Sequence, residues 1–140
     1  MHASRLWDLI VEPEGLSTLF QPIFESRGGA RRVYALEALT RGPKRTNIER
    51  SDVLFEYVRR KRREPEVDLL AIESALRQAR SLPEVPGLSM NVHAVTLERE
   101  RCLPDWLADL AAEYAVPLHC LIIEIVEHAP PWSGPHFLDN

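Results

Sequence analysis

Cysteine is scarce in this chain, with two in 140 residues. Cys102 and Cys120 make neither a disulfide framework nor a metal motif. Excess positive charge is also missing. Seventeen Lys and Arg stand against 21 Asp and Glu, a net charge of −4. That leaves no global case for binding a nucleic-acid polymer. No apolar run is long enough to cross a membrane, and no signal peptide opens the chain. Residues 5–11 (Arg-Leu-Trp-Asp-Leu-Ile-Val) are too short and too charged for either role. Repeats and low-complexity tracts are absent, and the eleven prolines and six glycines are spread through the chain. The cytoplasm is the expected location. What is present is ordinary for a soluble globular protein: 45% hydrophobic and 27% charged residues, in a length that suits one domain with a real core.

The most informative stretch is Tyr34-Ala35-Leu36-Glu37-Ala38-Leu39-Thr40-Arg41. Its Tyr34 and leucines, with Val33 just before them, favour a strand, and Gly42-Pro43 ends it. On a period of two, Val33, Ala35, Glu37, Leu39 and Arg41 share one face. A carboxylate and a guanidinium therefore sit together on an otherwise apolar strand. A buried charge must be paired or bound to a metal. Either a Glu37–Arg41 ion pair or a functional site would satisfy that rule.

The rest of the chain supplies the context. Residues 3–11 predict a short amphipathic helix, ended by Glu12-Pro13-Glu14-Gly15 and read as a lead-in segment or linker over 1–15. Residues 17–25 read as a strand, and Arg27-Gly28-Gly29-Ala30 as the turn of an antiparallel hairpin. Pro22 cannot donate to a ladder, which places its strand at an edge or a bulge. Gln21 stands just before that irregularity. Ser51 is expected to cap a helix running to about 63, with Val53, Leu54, Tyr57 and Val58 inward. The run Arg59-Arg60-Lys61-Arg62-Arg63 ends that helix, where cations are favoured. Acidic residues follow it and no aromatic residue interleaves, so it is not read as a nucleic-acid site.

Pro65 starts a second helix, to about 81, with a broad apolar face and Asp68 inside it as a structural hydrogen-bonder. Leu88–His93 reads as a short strand, with Ser89 and Asn91 facing one way. A helix is expected from Pro104 to Tyr114. Leu118–Glu127 is the most apolar strand, as suits a parallel sheet covered on both faces. Glu124 interrupts it and Glu127 ends it. Residues 135–140 look like the start of a further helix. The order is hairpin, two helices, strand, helix, strand, which implies an α/β fold with right-handed crossovers.

Three strands thus each carry an oxygen donor near the C-terminal end: Glu37, Asn91 and Glu124. Sites in parallel α/β folds lie at that end. Two carboxylates and an amide carbonyl are hard ligands that suit Mg²⁺ or Mn²⁺, with Ca²⁺ able to compete.

These residues resemble a known family. Phe20-Gln21-Pro22-Ile23, Glu37-Ala38-Leu39-Thr40-Arg41, Met90-Asn91-Val92 and Glu124-Ile125-Val126-Glu127 stand in the order and approximate spacing of the EAL domain. The resemblance runs from about Leu16 to the last residue. It implies a partial (β/α)₈ barrel whose first strand is antiparallel, with roughly half the strands present. It also implies a metal-dependent phosphodiesterase that opens the bacterial messenger cyclic di-GMP to linear pGpG. By the same resemblance Glu37, Asn91 and Glu124 are metal ligands in a two-metal site, where Ca²⁺ would be inhibitory. Gln21, Leu39 and Arg41 hold the dinucleotide, with Arg41 on a phosphate. Glu37 is catalytic as well as a ligand, and Glu127 is a carboxylate that steadies a loop over the metals.

Two positions depart from the family pattern. His93 replaces the usual Ser and is expected at the rim. Val126 replaces the usual Thr and is expected on an outward face. Length departs further, since such a barrel needs about 250 residues. The Asp-Asp pair, Lys, Glu and Gln of the family's second half are not in this sequence. A half-barrel leaves open edges and an uncovered apolar interior. The expectation is therefore the front half of a longer protein, or a chain that associates to cover itself, and little or no activity alone. The alternative expectation is a degenerate EAL domain that senses the nucleotide or docks a protein without hydrolysis.

Overall fold

Two adjacent glycines reverse the chain between its first two strands. Gly28 and Gly29 hold φ of +58° and +82°, a left-handed conformation that penalises any residue with a Cβ. The turn joins β1 (Ser17–Arg27) to β2 (Ala30–Arg41) as an antiparallel hairpin. β1 is one edge of the sheet among the described residues, and its register with β2 shifts between Ile23 and Phe24. Pro22 therefore sits both on an edge and beside an irregularity, where its missing N–H does least harm.

The computed structural model describes residues 2–127. From β2 the sheet continues in parallel to β3 (Leu88–His93) and then β4 (Leu121–Val126), in the order β1-β2-β3-β4. The class is α/β, with one antiparallel pair followed by parallel pairs, and the sheet does not close among the described residues. This is the partial barrel implied by the sequence. The helix start expected over 135–140 lies outside the described residues.

Among the described residues five α-helices accompany the strands: α1 (His2–Val11), α2 (Ser51–Arg60), α3 (Glu64–Ala79), α4 (Ala94–Arg99) and α5 (Leu103–Glu113). α3 lies between two cores, which explains its broad apolar face. Ile72, Ala75, Leu76 and Ala79 pack on the sheet with Ala38, Leu88, Met90 and Val92, joined by Leu107 and Leu110 of α5. Val67 and Ala71 pack on the other side with Ile10, Leu16, Ile48, Leu54 and Val58. Each large aliphatic chain buried this way contributes about 1.5–3 kcal/mol. Among the described residues no helix is long and apolar enough to cross a membrane.

Several expectations need correction. Ser51 opens α2 rather than capping it. Arg50 holds the cap position in extended conformation, with no side-chain cap hydrogen bond. α4 was not anticipated; it is six residues long and buries only Thr96, too little for a periodic signal. Leu118–Cys120 form a 3-10 turn, so the last strand begins at Leu121. The basic run does end a helix, and ion pairs tie Arg60 to Glu56 and Arg63 to Glu66. The fold also brings it aromatic neighbours that its own sequence lacks. The Arg63 guanidinium lies 4.5 Å from the Trp7 ring centroid, and Lys61 Nζ lies 5.2 Å from that of Tyr57.

Candidate functional site

Strand register decides which predicted residues can meet. Glu37 pairs with Gln21 on one side and with Ser89 on the other. Asn91 pairs with Glu124. Ser89 and Asn91 are two apart, so they share a face of β3. Gln21, Glu37, Asn91 and Glu124 therefore all belong to one face of the sheet. They occupy two rows, with Gln21, Glu37 and Ser89 in the first and Asn91 and Glu124 one step nearer the C-terminal end. Neighbouring strands lie roughly 4.8 Å apart, which lets adjacent side chains approach a common ion. Phe20, Ala38, Met90 and Ile123 alternate to the opposite face, against the α3 side of the core.

One hydrogen bond fixes the direction of Glu124. The Ser89 hydroxyl donates to Glu124 Oε1 at 2.6 Å. Glu124 is exposed on β4, the last strand among the described residues, yet its carboxylate leans back along the sheet into the row of Glu37. Ser89 was not singled out from sequence as a functional residue. The available signal was its place two residues before Asn91.

Arg41 stands at the end of β2, opposite Ser17. Its guanidinium donates to the Thr40 carbonyl at 3.3 Å. Among the described residues it forms no ion pair with Glu37, so the simple strand-end pair is not what holds either charge. Arg41 instead lines an open cleft of about 670 Å³ with Thr46, Asn47, Glu49, Arg50, Ser51 and Asp52. The walls of that cleft are preorganised. Gly42 N–H donates to the Glu49 carbonyl at 2.9 Å, and Thr46 Oγ1 donates to the Pro43 carbonyl at 2.7 Å. Arg50 grips Asp52 through two hydrogen bonds of 3.2 and 2.9 Å. Desolvation pushes the Asp52 carboxyl up, but the Arg50 hydrogen bond, the Val53 N–H and the Arg50 charge together hold it below its ordinary value.

His93 overturns the rim expectation. It is 6% exposed. Its ring Nδ1 lies 2.8 Å from Asp68 Oδ1, its backbone N–H donates to Asp68 Oδ2 at 2.8 Å, and Phe55 packs on its ring. Thr96 Oγ1 donates to the same Asp68 Oδ2. Asp68 is thus a structural hydrogen-bonder, as read from the sequence, and His93 belongs to its network. Val126 also needs correction. It pairs with His93 and follows Glu124 by two, so alternation puts it on the face of Glu124 rather than outward.

The remaining predicted residues lie around this face. Leu39 is half-buried and pairs with Leu19 on β1, Gln21 is exposed at the sheet edge, and Glu127 is exposed just past β4. Among the described residues no group of three or more His, Cys, Asp or Glu could hold a metal. Glu37 and Glu124 place two carboxylates on this face, and Asn91 adds an amide. The donor chemistry fits a hard divalent cation. Three oxygen donors would fill only part of the shell of such an ion, which takes six or more.

The EAL domain family profile matches residues 5–133. No curated protein matches the chain. Among solved structures, the chain is similar to the PaMucR phosphodiesterase in complex with c-di-GMP, with a TM-score of 0.70 and 14% identity, covering 97% of this chain and 56% of that one. It is also similar to the EAL domain of FimX from Xanthomonas citri in complex with c-diGMP, with a TM-score of 0.69 and 16% identity, covering 90% and 50%. The third is BlrP1 from Klebsiella pneumoniae, with a TM-score of 0.67. Its calcium/cy-diGMP complex is 22% identical, covering 80% and 27%, and its manganese/cy-diGMP complex is 21% identical, covering 84% and 29%. At these identities the likeness establishes the fold. The chain spans between 27% and 56% of the length of these proteins.

Proposed function

Because the chain belongs to the EAL domain family, we propose that it supplies the N-terminal half of a metal-dependent phosphodiesterase that opens cyclic di-GMP to linear pGpG. The observation that supports this reading most is the 2.6 Å hydrogen bond from Ser89 to Glu124. It turns Glu124 toward the row of Glu37, beside Asn91. In this proposal Glu37, Asn91 and Glu124 hold Mg²⁺ or Mn²⁺, and Ca²⁺ competes. Such a cation supplies positive charge at the phosphoryl oxygens and activation of a water. The calcium and manganese complexes of the Klebsiella protein support divalent metal use in the family.

The chain's own residues do the positioning. Arg41 has no carboxylate partner among the described residues, so its guanidinium is available to a phosphate. Gln21 offers both a donor and an acceptor to a base, and Leu39 gives the nucleotide an apolar contact. Glu127 steadies a loop over the site. A cytoplasmic setting is part of the same proposal.

Calorimetry tests it. Cyclic di-GMP titrated into the protein is expected to bind more tightly with Mg²⁺ than with EDTA, and Glu37→Ala is expected to abolish that difference. Tight binding that ignores the metal would favour a sensor without hydrolysis.

Self-association belongs to this reading too. Among the described residues β4 is a sheet edge, and Ile125 on it is 61% exposed. An apolar open edge is an association template. Light scattering behind size-exclusion chromatography is expected to show a mass that rises with concentration. A monomer of 16.0 kDa at every concentration would contradict it.

A further inference from the structure

Ser89 is 1% exposed, on a strand flanked by β2 and β4. Its backbone lies within the parallel ladders on both sides, paired with Glu37 and Ile122. The hydroxyl is then the one group left to place, and a buried hydroxyl needs a partner. The partner is a carboxylate from the neighbouring strand, one row higher. At 2.6 Å this O–H···O contact has the length of a charge-assisted bond.

The consequence falls on Glu124. An exposed glutamate would otherwise spread over many rotamers, most of them pointing into solvent. The serine holds Oε1 and so aims the whole carboxylate along the sheet, toward Glu37. Oε2 is left for a ligand on that face. Groups that orient a metal ligand from behind commonly set the affinity of the site.

We propose that Ser89 is a positioning residue that fixes the Glu124 carboxylate for cation binding. This rests on the reading of Glu37, Asn91 and Glu124 as metal ligands. It adds a residue that the family resemblance does not carry, and it gives the serine a role beyond satisfying its own hydroxyl.

Manganese binding to the full chain separates these roles. The free Mn²⁺ electron paramagnetic resonance signal reports uptake, and the bound signal reports the ligand field. Ser89→Ala is expected to weaken uptake by about 10- to 100-fold. Ser89→Cys, close in size but a weak donor, is expected to do the same and decides the matter if the alanine variant does not fold. Ser89→Thr keeps the hydroxyl and is expected to restore uptake and the bound signal. If Ser89→Ala and Ser89→Cys bind like the parent while Glu124→Gln does not bind, the positioning role is wrong and the metal site stands. If Glu124→Gln binds like the parent, or the parent takes up no Mn²⁺, the metal-site reading fails and takes this inference with it.

Discussion

Asp68→Ala is expected to lower stability by about 3–5 kcal/mol, the scale for removing one partner of a buried charged network. Asp68 is 1% exposed. One carboxylate serves three groups there. Oδ2 accepts from the His93 backbone N–H at 2.8 Å and from Thr96 Oγ1 at 2.5 Å, and Oδ1 faces His93 Nδ1 at 2.8 Å. Alanine would strand all three in the interior, at about 1–3 kcal/mol for each unsatisfied group. The change is a large part of the 5–15 kcal/mol that holds a typical domain. Urea unfolding followed by circular dichroism measures it, and the thermal midpoint is expected to fall on the order of 10 °C. Asp68→Asn retains one acceptor and is expected to cost less. An exposed control such as Asp105→Ala is expected to stay within about 0.5 kcal/mol of the parent. A loss below about 1 kcal/mol for Asp68→Ala would show that the network is replaced by water rather than required. The position also matters for the site. The network pins His93, two residues beyond Asn91, to α3 and α4, and so anchors the end of β3 that carries the amide.

The elements visible in the sequence were those with local signatures. The Gly28-Gly29 turn, the apolar run of β4 and the wide apolar face of α3 each announce themselves within a few residues. Period-two alternation also placed Glu37, Asn91 and Glu124 on consistent faces of their own strands. Alternation does not say how one strand slides along the next. Glu37 is level with Ser89, two residues before Asn91, and only pairing across the sheet fixes that. The same limit hid the contacts that matter most. His93 meets Asp68 across 25 residues, and Ser89 meets Glu124 across 35. His93 looked like a rim residue because its partner sits in the middle of a distant helix. α4 was missed for a different reason: one buried residue in six gives no periodicity to detect. The cleft beside Arg41 depends on the folded path of the polar loop after β2, where no periodicity guides the chain and hydrogen bonds impose order.

That order makes Gly42→Ala the second disruptive change, although the position looks permissive. Gly42 directly follows Arg41 and does not need a left-handed φ, so its backbone would accept alanine without strain. The obstacle is space. A Cβ there would lie 2.0 Å from the Ile48 carbonyl oxygen and 2.9 Å from its carbon. Both are backbone atoms, so no rotamer change relieves the clash. The loop cannot simply open, because Gly42 N–H is bonded to the Glu49 carbonyl and Arg45 N–H to the Glu49 carboxylate. Ile48 cannot move alone either, since it is 2% exposed and packs with Ile10, Leu54 and Val58. The expected cost is about 3 kcal/mol, the upper range for overpacking, read as a lower thermal midpoint. Gly28→Ala provides the contrast. It meets nothing within 4 Å and pays only for its φ of +58°, roughly 1–2 kcal/mol. Because the clash sits between Arg41 and Arg50, amide resonances of both are expected to shift in Gly42→Ala and to stay in place in Gly28→Ala. A Gly42→Ala protein as stable as its parent, with those resonances unmoved, would mean that the loop is loose and the cleft beside Arg41 is not a preformed feature.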